Sequence, residues 1–374
     1  MELSVRQSDL LRELQLFQGI VERKNTIPIL GNVLLEANGE GGLQMLATDL
    51  EVGLRSQCAA EISEPGSVTI PAKKLFEIVR ALPETEIRIQ EGAKGAVEVA
   101  AAQFDSRMQT LPREDFPTVP EPGSGWSAVL PRAALGEMVA KTQFAITGED
   151  TRYFLNGALL ILVPGRMTLV ATDGHRLALA AAPRGADEGE GPEGGEQRAI
   201  LPKKTLGELA RLLSDSEGDV SCEFGENHLF FEIDGRHLIS RVIDAQFPAY
   251  ERVIPQGNDK RIEFERDRLL RAVRRVALLS SERSRAVRFQ MDTNSVEVRS
   301  SSPEVGEAKE VLEVDYAGSA LQICFNAQYV TDFLGAVDSD SVGLEFRDEM
   351  SQAVMQPLGE GGCEYTYVIM PMRV

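Results

Sequence analysis

Long apolar runs, cysteine pairs, histidine and basic charge are all scarce in this 374-residue sequence. No hydrophobic stretch approaches the roughly 20 residues that span a bilayer, so no membrane helix is expected. The amino-terminal MELSVRQSDLL has neither a basic nor an apolar signal region, which predicts no signal peptide. The four cysteines, Cys58, Cys222, Cys324 and Cys363, lie far apart and form no CxxC pair, and only 3 histidines accompany them. That pattern argues against a zinc site and predicts reduced structural thiols in a cytoplasmic protein. No GxxxxGK[ST] cradles phosphates, no HExxH binds zinc and no GxSxG presents a nucleophile, so no cofactor and no metal are expected. Net charge is −19, which opposes nucleic-acid binding unless the basic residues gather on one face.

What the chain does have is repetition. Its length calls for roughly two or three domains. SVRQSDLLREL (4–14) aligns with VLPRAALGEMV (129–139) and FERDRLLRAV (264–273), and LGNVLL (30–35) aligns with LNGALL (155–160). ATDLE (47–51) falls on ATDGH (171–175). IPAKKLFEIVRAL (70–82) falls on LPKKTLGELARLL (201–213) and FNAQYVTDFLGAV (325–337). The anchors keep their order in each copy, which is the signature of an internal repeat. Spacing drifts once, across PRGADEGEGPEGGEQ (183–197), whose Gly/Glu composition predicts an inserted mobile loop.

Each copy reads alike. A strand leads into an amphipathic helix, and alternating strands follow. A second helix is entered at Pro71 or Pro202, read here as first-turn prolines, and more strands close the unit. The fold class is therefore α+β. Candidate linkers at 117–126 and 247–260 predict domains at 1–126, 127–257 and 258–374.

Asp173, His175 and Arg176 stand within four positions on one turn, and three readings are open for them: a hydrolase dyad of Asp173 and His175, a strand-end turn, or the rim of a docking pocket. The first repeat keeps Thr48 and Asp49 but has Leu50 and Glu51 where the second has Gly174 and His175. The shared ATD thus reads as a turn in which Asp caps backbone amides. The tail VIMPMRV puts two methionines around a proline, the composition of an adaptable binding surface or of an edge strand packed on its own domain.

The segments PILGN (28–32), RYFLNG (152–157), ATDGHRLA (171–178), FPAYERV (247–253) and YVIMPMRV (367–374) together resemble the bacterial DNA polymerase III beta subunit family, the sliding clamps, in order along the whole chain. The resemblance implies three clamp domains, each with two helices facing a central pore and antiparallel sheets outside. It implies a head-to-tail homodimeric ring that encircles double-stranded DNA without reading sequence. The chain is then a non-catalytic processivity subunit, with the replicative polymerase, the clamp loader and other clamp-binding peptides as partners. An alternative is a clamp-like peptide scaffold that does not encircle DNA.

Carried over residue by residue, the resemblance places a peptide groove on Leu155, Thr172, Gly174, His175, Arg176, Leu177, Pro248, Arg252, Val253, Met350, Val368, Met370, Pro371 and Met372. Arg176 is expected to hold a partner's backbone or carboxylate. The resemblance gives Lys24 and Lys73 as phosphate contacts, and Tyr153 and Phe154 as exposed stacking aromatics. It sets VALLSSERS (276–284) of one chain against FDSRMQTL (104–111) of the other, with Met108, Leu278 and Leu279 as apolar contacts. The sequence departs from the family at Glu149 and Asp150 beside the aromatic pair, at Ser106 in the seam and at Ser284.

Charge distribution agrees with a pore. Lys and Arg outnumber Asp and Glu in the candidate helices at 4–24, 71–82, 131–143, 202–213 and 264–276, though not in 325–337, within an acidic chain. A basic lining binds phosphates without sequence preference, and an acidic exterior repels DNA. Helices packed about 10 Å apart leave a bore of roughly 9 Å for six helices and roughly 28 Å for twelve, so only a dimer admits a duplex.

Overall fold

The computed structural model describes residues 1–374 except 22–25, 39–41, 94, 124, 149, 186, 189–194, 360 and 374, and at 187 and 188 it describes the backbone alone. Lys24 and Glu149, singled out above, therefore lie outside the described residues. The first and third repeats begin with a strand that runs straight into a helix, as Glu2–Arg6 does into α1 (Gln7–Ile20), and in the second only Pro131 stands between the two. α1 buries Leu10, Glu13, Leu14, Phe17 and Ile20, the three-and-four spacing of one helical face. A fully buried Leu or Phe of this kind contributes roughly 1.5–3 kcal/mol. The other helices are α2 (Ala72–Ala81), α3 (Arg132–Thr142), α4 (Lys203–Ser214), α5 (Arg266–Ala277) and α6 (Ala327–Ala336).

The prolines expected in the first turns of α2 and α4 stand one residue earlier. Pro71 still pairs with Asn32, and Pro202 with Gly157, as the last residues of their strands. Both strands are sheet edges, where a missing N–H costs no ladder hydrogen bond.

The chain divides into two compact units, each holding two sheets. The first comprises Met1–Arg132, Gly185–Gly194 and Lys204–Val242. Its five-stranded sheet runs Ala60–Glu64, Glu2–Arg6, Glu86–Gly92, Ala96–Ala101, Phe104–Gln109. Its nine-stranded sheet runs Asp187–Glu188, Ser127–Leu130, Val220–Phe224, His228–Ile233, Arg236–Arg241, Val52–Cys58, Leu43–Thr48, Asn32–Ala37, Gly66–Pro71. The pairing of Arg236–Arg241 with Val52–Cys58, antiparallel with Ser240 opposite Val52, welds strands of the first and second repeats into one sheet. Two residues of the expected inserted loop, Asp187 and Glu188, are a strand paired to Ala128 and Ser127.

The second unit comprises Ala133–Arg184, Gly195–Lys203 and Ile243–Val374. Its eight-stranded sheet runs Gln197–Pro202, Gly157–Val163, Arg166–Thr172, Arg176–Pro183, Glu364–Ile369, Ala353–Leu358, Ser341–Phe346, Lys260–Glu265. Its four-stranded sheet runs Gly306–Glu313, Ser295–Ser302, Ala286–Asp292, Leu321–Asn326. Here Arg176–Pro183 pairs with Glu364–Ile369, the same weld one repeat later. All these ladders are antiparallel.

The candidate linkers carry packing anchors. In 117–126, Val119 is buried with Leu30, Leu46, Phe230 and Ile239, as is Phe116 just before the segment, while most of its other described residues are exposed. Phe247, Tyr250, Val253 and Ile254 pack on the cluster of Leu159, Ile161, Val170, Leu177 and Val368. A buried ion pair reinforces the first unit: Arg236 forks onto Glu13 of α1 at 2.6 and 3.1 Å, with both side chains under a tenth exposed. Removing one partner of such a pair costs about 3–5 kcal/mol, because the other charge is left buried.

The arginine-rich helix divides its faces sharply. α5 buries Leu269, Leu270, Ala272, Val273 and Val276 and exposes Arg268, Arg271, Arg274 and Arg275. Among the described residues no helix is long and apolar enough to cross a membrane.

Candidate functional site

The turn at 172–176 is built by its own side chains. Thr172 Oγ1 donates to Arg176 O at 2.7 Å and accepts from Gly174 N at 3.1 Å. Asp173 Oδ1 accepts from the backbone N–H groups of His175 and Arg176, both at 2.9 Å. The first repeat makes the same four bonds with Thr48, Asp49, Leu50, Glu51 and Val52. The middle residue is left-handed in both, at φ 87° for Gly174 and 80° for Leu50. Glycine adopts that conformation freely, whereas leucine is strained in it.

This geometry removes the hydrolase dyad. One Asp173 oxygen caps two amides, the other takes Arg176 Nε at 3.1 Å, and His175 meets the carboxylate through its backbone N–H. The His175 ring is exposed at the rim.

Beside the turn lies a cavity of about 260 Å³ with a mostly apolar wall. The turn supplies Thr172, Gly174, His175, Arg176 and Leu177; the 247–260 segment supplies Pro248, Tyr250 and Val253; the last strand and the residue after it supply Val368 and Met370. Arg152, Phe154 and Leu155 complete it. The tail strand Glu364–Ile369 is interior, flanked on both sides, and not the edge strand that the tail composition also allowed. Beyond it the tail is pinned by Met370 N to His175 O at 2.9 Å and Met372 N to Cys324 O at 2.7 Å.

Several expected groove residues stand elsewhere or act differently. Arg252, Met350, Pro371 and Met372 do not line the cavity. Met350 is exposed, its N–H donating to Asp348 in another turn. Arg176 is no free arm for a partner. Its guanidinium donates to Asp173, to Asp332 Oδ2 at 2.5 Å and to Phe144 O at 2.7 Å, over the Tyr329 ring at 4.4 Å. Burial disfavours its charge, yet Tyr367, Asp332 and Asp173 together raise its pKa above the ordinary arginine value. Its side chain is only 9% exposed, so it holds the turn in place.

Phe154 corrects another expectation. It packs on the apolar cluster beneath the cavity and lines the cavity wall, while Tyr153 is 57% exposed. The sequence reading missed Arg152 and Tyr250 as lining residues, although both sit inside the quoted segments RYFLNG and FPAYERV. Arg152 grips Asp150 with Nε at 3.0 Å and Nη2 at 2.8 Å. Those hydrogen bonds lower the Asp150 pKa to about 2, so its charge is compensated locally. Lys73 is exposed on α2, 4.0 Å from Glu77. Among the described residues no cluster of His, Cys, Asp and Glu could hold a metal.

Three α+β repeats, welded sheet to sheet and carrying an apolar groove where the second meets the third, have the build of a sliding clamp. Family models agree over almost the whole length. Residues 1–120 match the DNA polymerase III beta subunit N-terminal domain, 129–249 its central domain and 251–373 its C-terminal domain. The chain is 38% identical to the beta sliding clamp of Pseudomonas putida over 378 residues and 35% identical to that of Escherichia coli K12 over 377, covering 100% of each. It is similar to the crystal structure of the Pseudomonas aeruginosa clamp at a TM-score of 0.91 and 36% identity, and to that of Bartonella birtlesii at 0.93 and 34%, with both chains fully covered. The chain belongs to the DNA polymerase III beta subunit family, the bacterial beta sliding clamps. It is a processivity factor of DNA polymerase III and a non-catalytic subunit of that holoenzyme.

Proposed function

We propose that two copies of this cytoplasmic chain, each with domains at 1–126, 127–257 and 258–374, close head to tail around double-stranded DNA and present the groove at Thr172–Leu177 to peptides of the replicative polymerase and the clamp loader. The observation that carries the docking role is the cavity itself. It is apolar, open, and bounded by a turn that the first repeat reproduces without glycine or histidine. Tyr250, Val253, Leu177 and Met370 offer contact area, and Arg152 and His175 offer polar rim groups.

Two sheet edges support the seam. Phe104–Gln109 ends the five-stranded sheet and Gly306–Glu313 ends the four-stranded one. Apolar residues are exposed beside both: Phe104 near the first, and Val305, Val311 and Leu278 near the second. Met108 is half-buried in the first edge strand. An exposed strand edge with apolar neighbours is a template for pairing with another chain. Edge-to-edge pairing here extends to the dimer the sheet welds already made twice inside the chain.

Phosphate contact falls to Lys73 and Lys24, joined by the exposed α5 arginines, with Tyr153 as a stacking group. Such contacts hold the backbone at any sequence and weaken with salt. The reading is tested by primer extension with the cognate polymerase on a long single-stranded template. Addition of the chain with its loader is expected to lengthen products of a single binding event by at least about tenfold, since a tethered polymerase rebinds at high effective concentration. Unchanged product length contradicts the proposal.

A further inference from the structure

Arg176 lines the cavity while bonding away from it, so what fixes its position lies outside the groove. Asp332, on α6, takes Arg176 Nη1 on one oxygen and Gln328 Nε2 on the other, at 2.7 Å. Gln328 is held in turn: its N–H donates to Asn326 Oδ1 at 2.8 Å, and its Oε1 accepts from Arg285 at 3.2 Å. Tyr329 of the same helix stacks under the guanidinium. α6 thus offers Arg176 a prearranged acidic and aromatic seat.

The first repeat shows what happens without that seat. Val52 stands where the second repeat has Arg176, and Asp49 instead binds Lys204, the α4 counterpart of Gln328. Its turn is thus clamped by a lysine on the Asp. The second turn depends on a carboxylate that stands outside the cavity lining and is hydrogen-bonded directly to Arg176.

We propose that Asp332 is a positioning residue of the groove: by seating Arg176 it fixes the Thr172–Arg176 turn, and with it Gly174 and His175 at the cavity rim. The proposal rests on the groove's being the peptide dock. Without the Asp332 charge, the nearly buried guanidinium has Asp173 as its one anionic hydrogen-bond partner among the described residues. It then turns toward solvent and draws on the carboxylate that caps the turn.

The test uses the full chain and a labelled peptide carrying the clamp-binding segment of the cognate polymerase. Asp332→Asn is expected to weaken the peptide on the order of tenfold, through faster dissociation with association unchanged. Asp332→Glu, which restores the charge, is expected to recover most of that loss. The Arg176→Ala/Asp332→Asn double variant is expected to bind no worse than Arg176→Ala alone. If Asp332→Asn fails to fold, Gln328→Ala carries the test, with an expected loss of about threefold from a misoriented carboxylate. Wild-type affinity in a folded Asp332→Asn or Gln328→Ala chain, or losses that add in the double variant, overturns the proposal while leaving the groove intact. Failure of the wild-type chain to bind the peptide removes the groove reading itself.

Discussion

A chain lacking residues 370–374 is expected to lose detectable binding of polymerase-derived peptides while remaining folded and retained on circular DNA. Met370 lines the cavity and its N–H is bonded to His175 O, so the deletion removes both apolar wall and a tie to the turn. Hot-spot contacts of this kind are each worth about 2 kcal/mol or more, roughly thirtyfold in affinity. Strand Glu364–Ile369 keeps both its neighbours in the sheet, so the melting temperature is expected to stay within a few degrees of the parent's. Fluorescence anisotropy with the labelled peptide reads the first effect and circular dichroism the second. Undiminished peptide binding removes the tail from the groove.

The second large effect concerns the seam. Replacing Leu278 and Leu279 with Ala is expected to turn the proposed dimer into a folded monomer at micromolar concentration. Leu278 is 78% exposed in the single chain and Leu279 is half-buried, so most of their packing is still to be gained on assembly. If both bury across the seam, their truncation costs on the order of 4 kcal/mol per seam. A head-to-tail dimer has two such seams, and both are weakened at once. Sedimentation or light scattering reads the mass. A mass unchanged from the parent dimer excludes these leucines from the interface.

Much of this was legible in the sequence because repetition states the same pattern more than once. The helices follow from apolar spacing in segments that recur, and the ATD turn follows from Thr and Asp kept where their neighbours change. What was not legible depends on partners distant in sequence. Arg176 reads as a charge available to a ligand, because nothing nearby announces Asp332, more than 150 residues on, or the carbonyl of Phe144. Phe154 reads as exposed beside Tyr153, since adjacent residues of a short 3₁₀ turn face different ways and periodicity gives no help there. The segments 117–126 and 247–260 read as linkers, which hides the anchors Val119, Phe247 and Tyr250. The edge strand Gly306–Glu313 escaped notice because GEAKEVLE is largely polar.

On the proposed function the chain holds DNA by enclosing it, which is a topological link. The most direct measurement loads the labelled chain onto a nicked circular plasmid with its clamp loader and separates bound from free protein at moderate salt, before and after a single cut linearises the DNA. The expected result is retention on the circle and loss within minutes from the linear form, as rings slide off the ends. Retention on the linear plasmid equal to that on the circle, or no retention on either, contradicts it.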